Sequence, residues 1–199
     1  MKKLIIILGI VIFGLSACSG TQVKRIDADK QIDLSGYWND VDVKIVCEAL
    51  IKDCLSSQRV NQAIKAKSST PIVIVGRFRN ESSEQIDTAI ISSTMETTIF
   101  NTGKLDFVAG GDVRDELRAE RQDQQSNASA ATMTRLRNET GADYMLTGAV
   151  RTIVDRDGNK TVRTYYVTAE MTSIETNQRM WMGQNSEIKK VVTQPKNRL

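Results

Sequence analysis

Cysteine is the residue type whose setting here most suggests chemistry, and the three cysteines fall into two kinds. Cys18 closes the run Leu15-Ser16-Ala17-Cys18, which follows Met1-Lys2-Lys3 and the apolar stretch Leu4–Leu15. A short positive region, an apolar stretch shorter than a membrane span needs, and small residues before the break point make a secretory leader. With cysteine at its end the leader resembles the bacterial lipobox, in which the cysteine is lipidated and becomes the new N-terminus. An ordinary secretory leader cut near Ala17, or a cysteine buried there by chance, is the alternative. By that resemblance Ser19 in the next position implies outer- over inner-membrane sorting, since Asp is the usual retention signal there. Several acyl chains on one residue anchor stably, where a single chain is marginal. Cys47 and Cys54 stand seven residues apart in a helical pattern. At helical rise their Cα atoms lie roughly 10 Å apart, beyond the roughly 7 Å that a disulfide spans. They are expected to be two small buried residues on one helix face, even in an oxidising compartment.

Other chemistry is hard to assemble. There is no histidine, which removes the commonest general base and the commonest metal ligand. No nucleophile elbow, P-loop or zinc spacing occurs. Gly110-Gly111-Asp112 before a helix could hold an anion, although a plain loop-to-helix turn explains it as well. Asp115 and Glu116 read as a solvated helix face near the positive end of its dipole. A glycosidase needs two facing carboxylates in an aromatic-lined cleft, and four Phe, four Tyr and two Trp do not suggest one. Lys and Arg number 27 against 24 acidic residues, and removing Lys2 and Lys3 leaves 25 against 24. A nearly neutral chain with few aromatics offers no footprint for nucleic acid. The expectation is a binding protein, with no enzyme activity, cofactor, metal or small-molecule substrate. Its candidate contact residues are Arg151, Arg156, Arg163 and Tyr166, placed toward the polar face or tip of a hairpin.

That hairpin organises the fold. Asp157-Gly158 is a strong turn signal. Centring the turn there sets Val154 opposite Thr161, Val150 opposite Tyr165, Gly148 opposite Val167, Leu146 opposite Ala169 and Tyr144 opposite Met171. One face is then apolar, while Met145, Thr147, Arg151, Tyr166, Thr168 and Glu170 form the more polar one. A second turn near Thr176-Asn177 leads to a third strand, Arg179 to Lys190. Upstream, Asn39 or Asp40 can cap a helix with Val43, Val46, Cys47, Leu50 and Cys54 inward. Ser57 can cap a second helix through Val60 and Ile64. The apolar run from Pro71 to Phe78 reads as a central strand buried on both faces. Asp87 or Thr88 caps a helix with Ile91, Met95 and Ile99 along one stripe, and Lys104 to Val108 is a short strand. Asp112 starts a charged helix with Val113 and Leu117 inward, and Arg121 to Asn127 is a mobile loop or its frayed end. Ser129 caps a further helix through Met133 and Leu136. This order predicts an α/β fold, with a mixed β-sheet of about five strands, a C-terminal three-stranded antiparallel meander and flanking helices. The divisions are a lipoprotein signal peptide at 1–17, a lipidated N-terminus and tether at 18–35, a globular domain at 36–192 and a tail at 193–199. The sixteen-residue tether Ser19–Leu34 reaches at most ~55 Å.

Six stretches carry a resemblance to a known family: Leu34–Asp40, Cys47–Ser56, Val73–Thr88, Asn101–Val108, Gly141–Gly148 and Ile174–Trp181. Together and in this order they resemble the LpoB family, outer-membrane lipoproteins that activate penicillin-binding proteins. The resemblance implies a fold like the N-terminal domain of TolB. It also implies a partner rather than a substrate: a bifunctional class A synthase of the inner membrane, whose glycosyltransferase and transpeptidase activities are stimulated. It brings no catalytic residues. Tyr37 departs from the basic residue expected between Gly36 and Trp38, and the tether is much shorter than the long linker of the best-known members. Curlin-secretion-like lipoproteins share the fold and are the alternative, but the chain lacks the long alternating stretches of a transmembrane barrel.

Cys18→Ala is expected to yield a soluble protein or an uncleaved precursor. Mass spectrometry of the wild-type N-terminus checks this, and an unmodified mature chain beginning at residue 19 or later would contradict it.

Overall fold

The computed structural model describes residues 25–27, 30, 32–129, 131 and 139–195. The leader, Cys18 and most of the helix expected from Ser129 through Leu136 lie outside them. Residues 33–199 form one of two compact units, and among the described residues every member of the core cluster lies between Val43 and Ile188, inside this segment. In the preceding unit the described residues lack regular secondary structure.

Four helices and six strands occur among the described residues: α1 (Asp40–Ser56), α2 (Gln58–Ala66), β1 (Ile72–Asn80), α3 (Thr88–Phe100), β2 (Asp106–Phe107), α4 (Gly111–Asn127), β3 (Tyr144–Asp157), β4 (Lys160–Ser173), β5 (Arg179–Asn185) and β6 (Lys189–Thr193). Asn39 caps α1 in a reciprocal box. Its side chain accepts from the Asp42 N–H at 3.1 Å and its own N–H donates to Asp42 Oδ2 at 2.9 Å, which satisfies two amides that a helix start leaves free. Asp87 caps α3 by accepting from the Ala89 N–H at 3.0 Å.

The sheet order is β2-β1-β3-β4-β5, with β6 also on β4. β1 runs parallel to β2 and β3, and the remaining pairs are antiparallel. Asp143 ties β1 to β3: its carboxylate accepts from the Ile72 N–H at 2.9 Å and meets Lys67, and its N–H donates to the Ile72 carbonyl at 2.8 Å. Burial works against ionisation of Asp143, but the Ile72 N–H and then Lys67 outweigh it and lower its pKa.

One face of the sheet is core. Val73, Phe78, Leu146, Val150, Tyr165, Val167, Ala169 and Met171 are buried there with Val46, Leu50, Ile91, Met95 and Ile99 from α1 and α3. Gly148 lies under the Phe78 ring, where a Cβ would come within 2.3 Å of Cε1. Trp181 adds a polar tie, donating from Nε1 to Asp53 Oδ2 of α1 at 2.8 Å.

The meander is present with two corrections. Val150 faces Val167, Leu146 faces Met171 and Asp157 faces Lys160, so each partner is displaced by two residues from the expected register. The turn comprises Gly158 and Asn159, and of the two only Gly158 has positive φ, at +55°. Glycine therefore takes the first central position, and Asp157 ends the strand. A two-residue displacement preserves faces, so the predicted apolar side is the buried one. The third leg is broken: β5 pairs with Val167–Thr172 and β6 with Lys160–Thr164, with the Tyr165 N–H bonded to the Ile188 carbonyl between them. The sheet thus has six strands.

Two helical expectations are also revised. α4 continues unbroken through Asn127. Its Val113 and Leu117 are 56% and 43% exposed rather than inward, because α4 is fastened by polar contacts, Arg118 and Arg121 to Glu139 at 2.9 and 3.2 Å. β1 is interior in the sheet, but only its first half is covered on both faces.

Cys47 and Cys54 are buried and free. Burial, reinforced by Glu48 and Asp53 respectively, pushes each thiol up from 9.0 to about 12. The folded values lie above the unfolded ones, so this stabilisation is whole below pH 9 and is lost as pH rises toward 12. The urea midpoint is expected to fall over that range, and Cys54→Ala is expected to make the fall shallower. Leu146→Ala is expected to cost roughly 2–5 kcal/mol by the same measurement; a loss below about 0.5 kcal/mol would contradict the assigned face.

Candidate partner-binding surface

The outer face of the sheet owes its character to one extra residue. Val75 pairs with Leu146 and Phe78 with Gly148, so Gly76 and Arg77 together oppose Thr147. This is a β-bulge. With Val73 and Val75 inward, strict alternation would send Arg77 and Arg79 into the core and Phe78 out of it. The bulge returns Phe78 to the core and leaves both arginines exposed. There they line a groove of about 470 Å³ with Arg151 of β3, Glu170 of β4, and Arg179 and Met182 of β5; its floor includes Thr147, Ala149 and Thr168.

Two carboxylates serve this arginine group. Glu81 meets Arg79 at 3.1 Å and Arg151 at 2.5 Å, and Glu170 meets Arg179 at 2.9 Å. Arg77 makes no ion pair among the described residues. The side chains of Arg79, Arg151 and Arg179 are at least half exposed, so their pairs contribute little to stability.

The sequence-predicted contact residues separate. Arg151 and Tyr166 face each other directly across β3 and β4 on the outer face. Arg156 is exposed near the hairpin tip, opposite Thr161. Arg163 does not join them. It has the parity of Tyr165 and so points to the inner face, where it is 8% exposed. Its guanidinium meets Glu84 at 3.3 Å and lies over the Tyr37 ring at 4.1 Å. The Tyr165 hydroxyl donates to the same Glu84 carboxylate at 2.9 Å, and Trp38 packs on Tyr165 at 5.2 Å. Burial foremost, and then Glu84, raises the pKa of Tyr165. Nearby, Lys190 of β6 reaches Asp33 and Asp42, each at 2.6 Å, and the Tyr37 carbonyl at 2.8 Å. The Leu34–Asp40 stretch is therefore a clamp between the N-terminal segment and the last strand.

Arg77, Arg79, Arg179 and Met182 were not foreseen as surface residues. The available signal was Gly76, since a glycine inside a strand marks a bulge or a close approach.

The outer sheet face is thus an open groove rimmed by guanidinium groups. No metal-binding group of His, Cys, Asp and Glu exists among the described residues, and no helix there is long and apolar enough to cross a membrane. The profile described as "Peptidoglycan-synthase activator LpoB" matches residues 42–186, and the chain belongs to that family. It is accordingly an activator of peptidoglycan synthesis acting on a penicillin-binding protein, a regulator and not an enzyme. No curated protein matches the sequence. Among solved structures, the LpoB C-terminal domain from Escherichia coli is 16% identical with a TM-score of 0.44, covering 77% of this chain and 99% of that one. The same domain from Salmonella enterica is 15% identical with the same TM-score and coverage. Lipoprotein GNA1162 from Neisseria meningitidis is 16% identical with a TM-score of 0.40, covering 64% of this chain and 88% of that one.

Arg163→Met is expected to destabilise the fold by roughly 3–5 kcal/mol, because it leaves the Glu84 carboxylate buried without its cation. Arg151→Met on the open face is expected to stay within about 0.5 kcal/mol. Urea unfolding of the two variants side by side checks the contrast.

Proposed function

We propose that this protein is an outer-membrane-anchored periplasmic lipoprotein, lipidated at Cys18, that binds and allosterically activates a class A penicillin-binding protein. The family match over residues 42–186 carries the reading. Activation requires the domain to bind the synthase's active state more tightly than its resting state. A tenfold shift in that equilibrium corresponds to a difference of about 1.4 kcal/mol. The proposed contact begins on the outer side of the β3–β4 hairpin, at Arg151 and Tyr166, with Arg156 at the tip. Arg163 serves instead to hold the hairpin against the Glu84 loop.

Lipid II polymerisation by each class A synthase of the same organism, with and without residues 33–199, tests the function. A rise in rate that saturates with the domain is expected. No stimulation of any of them at saturating domain would overturn the reading. Reversal of Arg151 and Arg156 to Glu is expected to weaken stimulation without unfolding the domain.

A further inference from the structure

We infer that the arginine groove on the outer face receives an acidic protein segment, whose carboxylates flank an apolar side chain seated beside Met182. The inference rests on the activator reading for the identity of the partner, and on the structure for its chemistry. Four guanidinium groups line or rim the groove, Arg77, Arg79, Arg151 and Arg179, against two carboxylates, Glu81 and Glu170. Four against two leaves an excess of two positive charges at the groove, in a chain that is otherwise nearly balanced. Like charges side by side on a sheet are unfavourable in the free domain, and an incoming carboxylate relieves them. Arginine also pairs with carboxylates in two-pronged geometry, which fixes orientation as well as charge.

The apolar element comes from the same place. Met182 is 67% exposed at the groove, and Met145 and Ile153 are exposed further along β3 on this face. Arginine and methionine are both enriched at protein interfaces. The small Ala149 at the floor, with the backbone of Gly148 and Ala169, leaves the depression that the rim encloses. An anionic membrane fits less well. A bilayer surface is a uniform negative plane, and Glu81 and Glu170 project from this face toward it. A protein segment can present carboxylates to the arginines while sparing the two acidic positions. The bulge supports the assignment independently, because it places Arg77 and Arg79 on this face together at the cost of ladder regularity.

The test uses residues 33–199, which contain every described core residue, and three variants: Arg77→Glu with Arg79→Glu, the single Arg77→Glu, and Arg59→Glu on α2 as a control for net charge. Binding to the synthase that the wild type stimulates is measured at two salt concentrations, with urea midpoints for each variant. The double variant is expected to bind at least tenfold more weakly with a reduced salt dependence and an unchanged midpoint, and Arg59→Glu to bind within twofold of wild type. A wild-type domain that stimulates while the double variant binds equally well would overturn the groove and leave the activator reading standing. If no class A synthase is stimulated, the activator reading falls and a second arm decides the groove. Isotope-labelled domain is titrated with a peptide carrying glutamates on both sides of a leucine, and with its lysine counterpart. Amide shifts localised to Arg77–Arg79, Arg151 and Arg179 with the acidic peptide alone are expected, and their absence at millimolar peptide overturns the proposal. Sedimentation with phosphatidylglycerol vesicles completes the test: co-sedimentation that the double variant abolishes would assign the face to a membrane and overturn the protein partner.

Discussion

The strict alternation of side chains along a strand is the constraint on which this structure turns. β1 must put Val73, Val75 and Phe78 on one side, although Phe78 stands an odd number of residues from the other two. The extra residue at Gly76-Arg77 resolves the conflict. Phe78 then fills the space that Gly148 leaves, and α3 packs on β1 with Ile91, Met95 and Ile99 buried in the shared core. The same single residue decides what faces solvent. The packing of Phe78 and the exposure of Arg77 and Arg79 are therefore set by one local irregularity.

A second region is built on charge. Arg163, Glu84, Lys190 and Asp42 are all nearly enclosed. Buried ions persist only where partners and hydrogen bonds satisfy them, and here each has both. Glu84 takes Arg163 and the Tyr165 hydroxyl. Lys190 takes two carboxylates and a carbonyl. Asp42 also completes the α1 cap. Geometry of this kind specifies one docking of the Leu34–Asp40 segment, because any displacement strands a charge.

The sequence made the element order, the caps at Asn39 and Asp87, the free cysteines and the apolar face of the hairpin readable, because each follows from a local rule. The register was displaced because Asp157-Gly158 and Gly158-Asn159 are both acceptable turn pairs. The error spared the faces since it was a whole period. Arg163 was misplaced for a different reason. An arginine reads as a surface residue, and its buried partner Glu84 lies 79 positions earlier in the chain, a distance that no local pattern spans. Arg77 and Arg79 were hidden because the run from Pro71 reads as continuous apolar sequence until the bulge is known. Val113 and Leu117 had helical spacing but are exposed among the described residues.

The clamp at Lys190 also defines how this molecule bears mechanical load. Asp33 is gripped by Lys190 and by the Asn39 side chain, each at 2.6 Å, before the chain enters α1. A pull on the polypeptide at Asp33 is thus shared with β6 and its ladder to β4, at the opposite end of the sequence. The helix start and the apolar core lie behind that junction. Parting the clamp frees residues 33–36, roughly 14 Å of chain, while Tyr37 and Trp38 stay packed on Arg163 and Tyr165. The fold has a mechanical fuse at its entry.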